Sequence, residues 1–348
     1  MFALLVSLAV SRELRTLHVG DGMDGDCFNK SCDFATASMI VRNGDTIIFD
    51  EGKTHITSNP SPISDLFHAA MFMNVTLIAP NANTVIDGQF MGGDNLFEIF
   101  SASRFCWLKF IGFTFTNFEK SVFIRVISET PWPLFIFKDC TFTNNKADVF
   151  NLKGGTFQFE NCEFSDNEHR PIKAITEATV ELTDCLIERS EASFFFDTDL
   201  IINNCRFFDN FGGRGGALYL SKVTLNINGA KFVRNSAKVN GGAIYIRESP
   251  EDFDCEIKKS VFIDNEAAVN GSAIYTYWSD VKLLNNCYDK KDSIFQFKSN
   301  NTIDGSEYSN KCTNLINYEP KIVDFDPYKP EIENDIDVEV EPNSWIEL

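Results

Sequence analysis

Six aspartates, Asp87, Asp166, Asp184, Asp209, Asp264 and Asp304, recur along the chain, most of them beside Asn or Gly. Two carboxylates across a cleft could act as general acid and base on a glycosidic bond. Acidic oxygens beside a basic residue could instead hold calcium and remove a proton in an elimination. An Asp next to Asn or Gly, however, hydrogen-bonds its own backbone in a turn, so these positions read as turn residues and none is assigned a catalytic role. His169-Arg-Pro-Ile-Lys173 places an imidazole near two cations, but Pro171 marks it as a turn. His18, His55, His68 and His169 lack ligand spacing, and Asp21, Asp24 and Asp26 lack the Gly and terminal Glu of a calcium loop, so no metal or cofactor is expected.

Binding candidates are aromatic. Trp132 stands between Pro131 and Pro133, where a ring could stack on a sugar or a partner side chain, or fold back on apolar surface. Tyr219, Tyr245 and Tyr275 follow a repeated glycine-containing turn. If Leu218, Ile244 and Ile274 point inward, the three tyrosines form an exposed ladder; alternation along a strand also permits the reverse facing.

Ten cysteines invite disulfides. Cys140, Cys162, Cys185 and Cys205 share one repeat position, which Ala230 and Ser260 occupy later, so the site asks for a small buried group. Core thiols and one or two stacked disulfides both satisfy it. Cys27 with Cys32, and Cys287 with Cys312, close loops and are better candidates for bridging. Asn29, Asn74, Asn270 and Asn300 lie in glycosylation sequons.

What positions these residues is a repeat. Phe207, Phe232 and Phe262 are each followed three residues later by Asn210, Asn235 and Asn265. Gly215-Gly216, Gly241-Gly242 and Gly271-Ser272 come next, each followed by Ala and an aliphatic. Spacings of this size define a solenoid, in which each repeat buries its apolar face against its neighbours. Phe142 with Asn145 and Phe164 with Asn167 carry the first half of the phrase without the glycines. Stacked coils turn each position into a ladder: Phe and Cys facing in, Asn at a bend with left-handed backbone, Gly-Gly at a tighter bend. The count of 34 Phe against 8 Tyr and 4 Trp fits a core that repeats one ring.

Upstream, Leu17–Gly20 reads as a strand, Asp33–Val41 as a short helix opened by Asp33, and Thr46–Phe49 as a strand. Residues 1–11 read as a signal peptide, an apolar run ending in Ala9-Val-Ser11. Residues 12–318 are assigned to the solenoid. Residues 319–348, with 10 acidic residues against 2 Lys, read as a disordered tail. A net charge of −19 argues against nucleic acid. No apolar run is long enough to span a membrane as a helix.

The opening order of strand, loop, short helix and Gly-Asp-Thr-Ile-Ile48 resembles the cap of right-handed parallel β-helices of the pectin-lyase-like superfold. The Phe-x-x-Asn and Gly-Gly-Ala-Ile/Leu phrases resemble the repeats of polymorphic outer membrane proteins, autotransporter adhesins, and of protist surface proteins. The resemblance implies an all-β, right-handed single-stranded parallel β-helix with an N-terminal capping helix. It also implies an extracellular or surface location and a non-catalytic adhesion role toward a glycan or protein. It departs from those autotransporters in having an acidic stretch where they carry a membrane barrel. The superfold also hosts polysaccharide lyases and hydrolases, but the Asn-Thr-Asp, Asp-Asp and His-Gly elements of polygalacturonases are missing and Pro171 interrupts their Arg-Ile-Lys. A spacer within a larger surface protein is the third reading.

Overall fold

The computed structural model describes residues 14–20, 25–50, 54–56, 74–80, 84–89, 97–98, 107–127, 134–249, 254–309 and 312, with strands 54–56, 97–98 and 123–127 given by backbone alone. Residues 1–11, Trp132 and residues 319–348 lie outside them. The chain divides into two compact units, Met1–Leu186 with Phe196–Ile201, and Ile187–Phe195 with Ile202–Leu348.

The first unit begins with Thr16–Val19 and helix Phe34–Ile40, one residue inside the expected limits at each end. Asp33 caps the helix, its carboxylate accepting from Thr36 N at 2.7 Å. Arg15 ties strand to helix, donating to Asp45 at 3.1 Å and to the Ile40 carbonyl at 2.8 Å.

Strands then stack in three parallel rows. Thr16–Val19, Thr46–Phe49, Val75–Ile78, Trp107–Ile111, Leu134–Lys138, Thr156–Glu160 and the second half of Ile172–Thr183 pair in sequence. Phe97–Glu98, Phe123–Ile127, Phe150–Lys153 and the first half of Ile172–Thr183 make the second row. Thr54–Ile56, Thr84–Asp87, Phe113–Thr116, Thr141–Thr143 and Glu163–Ser165 make the third.

The interior of this unit is Phe upon Phe. Phe110, Phe137 and Phe159 form one column with centroids 5.0 and 5.1 Å apart. Phe115, Phe142 and Phe164 form another at 5.2 and 4.9 Å. Phe150 stands edge-on between them, 5.0–5.1 Å from Phe137 and Phe142 and 4.9 Å from Phe159. Each such pair contributes on the order of 1 kcal/mol beyond area burial.

The second unit repeats the parallel stacking. Leu218–Asn228, Ile244–Arg247, Ile274–Tyr277 and Ile294–Phe297 form one row. The far half of Leu218–Asn228 continues into Cys255–Lys258, Val281–Leu284 and Thr302–Asp304. Arg206–Phe208, Lys231–Val233, Val261–Ile263, Cys287–Tyr288 and Glu307–Tyr308 form the third. A short fourth row joins Phe211–Gly212, Ser236–Ala237 and Glu266–Ala267. One ring column runs inside it, Phe207–Phe232–Phe262–Tyr288, at 4.7, 4.9 and 5.0 Å.

The Asn ladder forms as expected in each unit. Asn145 Nδ2 donates to Asn167 Oδ1 at 2.9 Å, Asn210 to Asn235 and Asn235 to Asn265 at 3.0 Å. The left-handed backbone sits one residue earlier than expected, at Asn144, Asp166, Asp209, Arg234 and Asp264, with φ from +52° to +56°. The chain turns before the Asn, whose amide thereby points inward and is buried.

The paired glycines answer two separate demands. Gly215, Gly241 and Gly271 have φ of +67°, +68° and +66°. A Cβ on Gly216 would lie 2.1 Å from the Gly242 carbonyl oxygen, and one on Gly242 would lie 2.0 Å from that of Ser272.

Cys140, Cys162, Cys185 and Cys205 are buried free thiols. Cys162 Sγ donates to the Phe137 carbonyl and Cys185 Sγ to the Phe159 carbonyl, each at 3.4 Å. Burial pushes the Cys162 thiol well above its ordinary range. Of the two readings of the Cys ladder, core thiols hold. Cys27–Cys32 and Cys287–Cys312 are disulfides, with Cα separations of 4.7 and 5.7 Å.

Candidate functional site

Leu218, Ile244 and Ile274 are fully buried, so strand alternation turns Tyr219, Tyr245 and Tyr275 outward. Their rings stack into a ladder that is longer than the sequence suggested: Phe194, Tyr219, Tyr245, Tyr275 and Phe295 follow at 5.1, 5.2, 5.3 and 5.3 Å. Phe194 and Phe295 lack the preceding double glycine, which is why motif reading missed them.

The expected exposed ladder needs correction. Tyr245 and Tyr275 retain only 6% and 7% exposure, because each ring is covered on both faces by its neighbours. Arg214 adds a guanidinium 5.7 Å from the Tyr245 centroid. A ring stacked on both faces shows a partner only its edge, so this face can recognise by hydroxyl and cation rather than by laying a sugar flat on an aromatic.

Arg247 leads that polar rim. Its Nη1 donates to Tyr219 Oη at 3.2 Å and its Nη2 to Glu248 at 2.7 Å, while its Nε is buried without a partner. Lys222 lies 3.9 Å from the other Glu248 oxygen. Burial pushes the Tyr245 phenol up to about 12, with the neighbouring Tyr219 adding to it, so it stays a neutral donor.

Trp278 is a second exposed aromatic that sequence reading passed over. One neighbour is Tyr277 at 5.5 Å and another is the Lys298 ammonium at 4.9 Å from its centroid. Only its position at the exit of a strand, after a Tyr, signalled it.

The carboxylates mostly serve local structure. Asp87 accepts from Asn117 at 3.0 Å, and Asp209 takes a bidentate bond from Arg234 at 2.7 and 2.6 Å. Asp26 accepts from the backbone N–H of Asn29, Phe28 and Lys30, which holds it well below the usual carboxylate range. In His169–Lys173, the chain bends and enters strand Ile172–Thr183, and the Pro171 carbonyl accepts from Phe150 N of the preceding coil at 3.1 Å. Asp289 differs: burial raises its pKa, the Asp264 charge adds to that, and its Oδ2 accepts from Asp264 N at 2.7 Å.

Cys287, Glu307 and Cys312 bring three potential ligand atoms within 4.8 Å of one another. The disulfide consumes both sulfurs, so the cluster holds no metal in this state. Among the sequons, Asn29 and Asn300 are exposed, while Asn74 and Asn270 are half-buried. The Asn74 side-chain Oδ1 accepts from Trp107 N at 3.0 Å.

Residues 99–251 match the family model described as "Right handed beta helix region". Together with the parallel rows in both units, this defines the fold as an all-β, right-handed parallel β-helix. No curated protein matches the chain, and no solved structure does.

Proposed function

We propose that the protein acts by binding, as a secreted or surface-displayed β-helix in adhesion toward a glycan or protein, without a catalytic centre. The observation that carries this reading is the outward tyrosine ladder with Arg214 and Arg247 on its rim. Stacked rings hold the phenolic edges at a fixed spacing of just over 5 Å, and Arg214 and Arg247 set cations along that edge suited to a carboxylate or hydroxyl. The repeats resemble those of polymorphic outer membrane proteins, which supports surface display, and a spacer role within a longer surface protein is the weaker form of the same reading.

A second reading, a polysaccharide-active enzyme, is favoured by one observation: Asp289, with its raised pKa, beside Asp264. The test is a glycan-array and cell-binding screen of the purified protein, with polyuronate cleavage assayed in parallel. Binding that Arg247→Ala abolishes supports adhesion. Cleavage that Asp289→Asn abolishes, with no binding, replaces it by the enzyme.

A further inference from the structure

Cys287 differs from the buried free thiols in facing outward. It stands in the column Lys231, Val261, Cys287 and Glu307, and the residues one step along each strand, Phe232, Phe262 and Tyr288, are fully buried in the core. Alternation therefore sets Cys287 on the outer side of its strand, where Cys312 bonds to it.

Glu307, next in that column, brings a carboxylate to the same place, with Oε1 3.6 Å from Cys287 Sγ. The two sulfurs and a Glu307 oxygen lie within 4.8 Å of one another. Sequence separations of 20 and 25 residues divide them, so only the stacking of coils joins them. The other bridge, Cys27–Cys32, has no such third ligand among the described residues. Two thiolates and a carboxylate at this spacing can occupy three corners of a tetrahedron around an ion that takes sulfur and oxygen at about 2.0–2.3 Å, which is the preference of zinc.

We propose that the reduced form of the Cys287–Cys312 bridge is a zinc site, with Cys287, Cys312 and Glu307 as ligands and water in the fourth position. A dithiol reductant attacks the Cys287 sulfur, which keeps 7% exposure where Cys312 keeps none, and displaces Cys312 as thiolate. The second thiol of the reductant then closes on the first. It leaves as a cyclic disulfide, two electrons having passed to the protein, and both cysteines are reduced. Zinc replaces their two protons, which pass to solvent. Bridge and ion thus fasten Cys312 to the same place on the wall, the bridge where thiols are oxidised and the ion where they are kept reduced. The inference stands apart from the adhesion reading.

The full chain, reduced with a dithiol and freed of it without oxygen, is titrated with zinc against a chromophoric chelator and with cobalt for its absorption. One ion per reduced chain is expected, with a tetrahedral thiolate spectrum for cobalt, and zinc should shield Cys287 and Cys312 from alkylation. The oxidised chain should bind none there. Glu307→Gln should weaken zinc roughly tenfold or more, Cys287→Ser should abolish the site, and Cys27→Ser should change neither. Cobalt bound without thiolate absorption, shielding that maps to Cys27 and Cys32, or affinity untouched by Glu307→Gln would overturn the proposal. A second measurement starts from the folded, oxidised protein. In a glutathione buffer with free zinc at ten times its Kd, the ratio of reduced to oxidised Cys287–Cys312 should rise about tenfold, because zinc binds only the reduced form. A ratio that zinc leaves unchanged would overturn it as well.

Discussion

The two units solve the same packing problem with opposite placements of their aromatic rings. In the first, two Phe columns run inside, with Phe150 edge-on between them and Ile172 at its place one coil later. In the second, one ring column remains inside and the other runs along the outer face. Where Gly215-Gly216 and Gly241-Gly242 bring backbones so close that a Cβ would meet a carbonyl oxygen near 2 Å, Leu218, Ile244 and Ile274 line the neighbouring interior instead of a third ring. Rings moved outward stack on each other and become available to a partner by their edges.

That comparison can be broken at several points. The largest effect is expected from Phe150→Ala, which empties the place where both columns meet: a loss of about 3–5 kcal/mol in denaturant unfolding. Gly242→Ala should cost about 3 kcal/mol, since the clash is with the Ser272 and Glu266 backbone rather than with a side chain that can swing away. Leu218→Phe, which tries to build the first unit's interior into the second, should cost about 2 kcal/mol by overpacking. An unchanged melting midpoint would show that the narrow coil has room for the third ring after all.

The smallest effect is Tyr245→Phe, close to neutral at pH 7. At high pH it should show itself. The folded phenol has its pKa raised to about 12 from an ordinary 10.0, chiefly by burial, so the folded state keeps a proton that the unfolded chain releases. Stability from this group is complete below pH 10 and falls as pH rises toward 12. The variant should lose that part of the alkaline slope in stability measured between pH 10 and 12.

Much of the fold was legible because a ladder repeats its evidence. Phe142, Phe164, Phe207, Phe232 and Phe262 could be placed in the core by spacing alone, and so could the Asn and Cys positions. The facing of Tyr219 could not be read, since alternation fixes which residues share a side but not which side is inside. The fully buried Leu218 decides it. Nor could the sequence show that the ladder is shielded, because Arg214 covers Tyr245 and Phe295 covers Tyr275, and both stand outside the motif. The left-handed residue was misplaced by one for a similar reason: Asn tolerates that conformation, but Asp209 and Arg234 also adopt it where the bend demands it.

The amide ladder also bears on how such a chain can change in length. Asn235 accepts from Asn210 across 25 residues and donates to Asn265 across 30, with the same geometry at each step. Of the five extra residues of the longer coil, one falls between Asn235 and Gly241 and four between Arg247 and Cys255, while Phe232 and Phe262 stay in register. The amides of Asn210 and Asn235 are thus each answered by the next Asn, and those of Asn235 and Asn265 by a Phe carbonyl one level back, whatever the length of chain between. A whole coil is therefore a unit that duplication or loss can add or remove with the buried bonds remade, and lengthening within a coil is free to vary at the rim, where a new loop meets new partners before it disturbs the core.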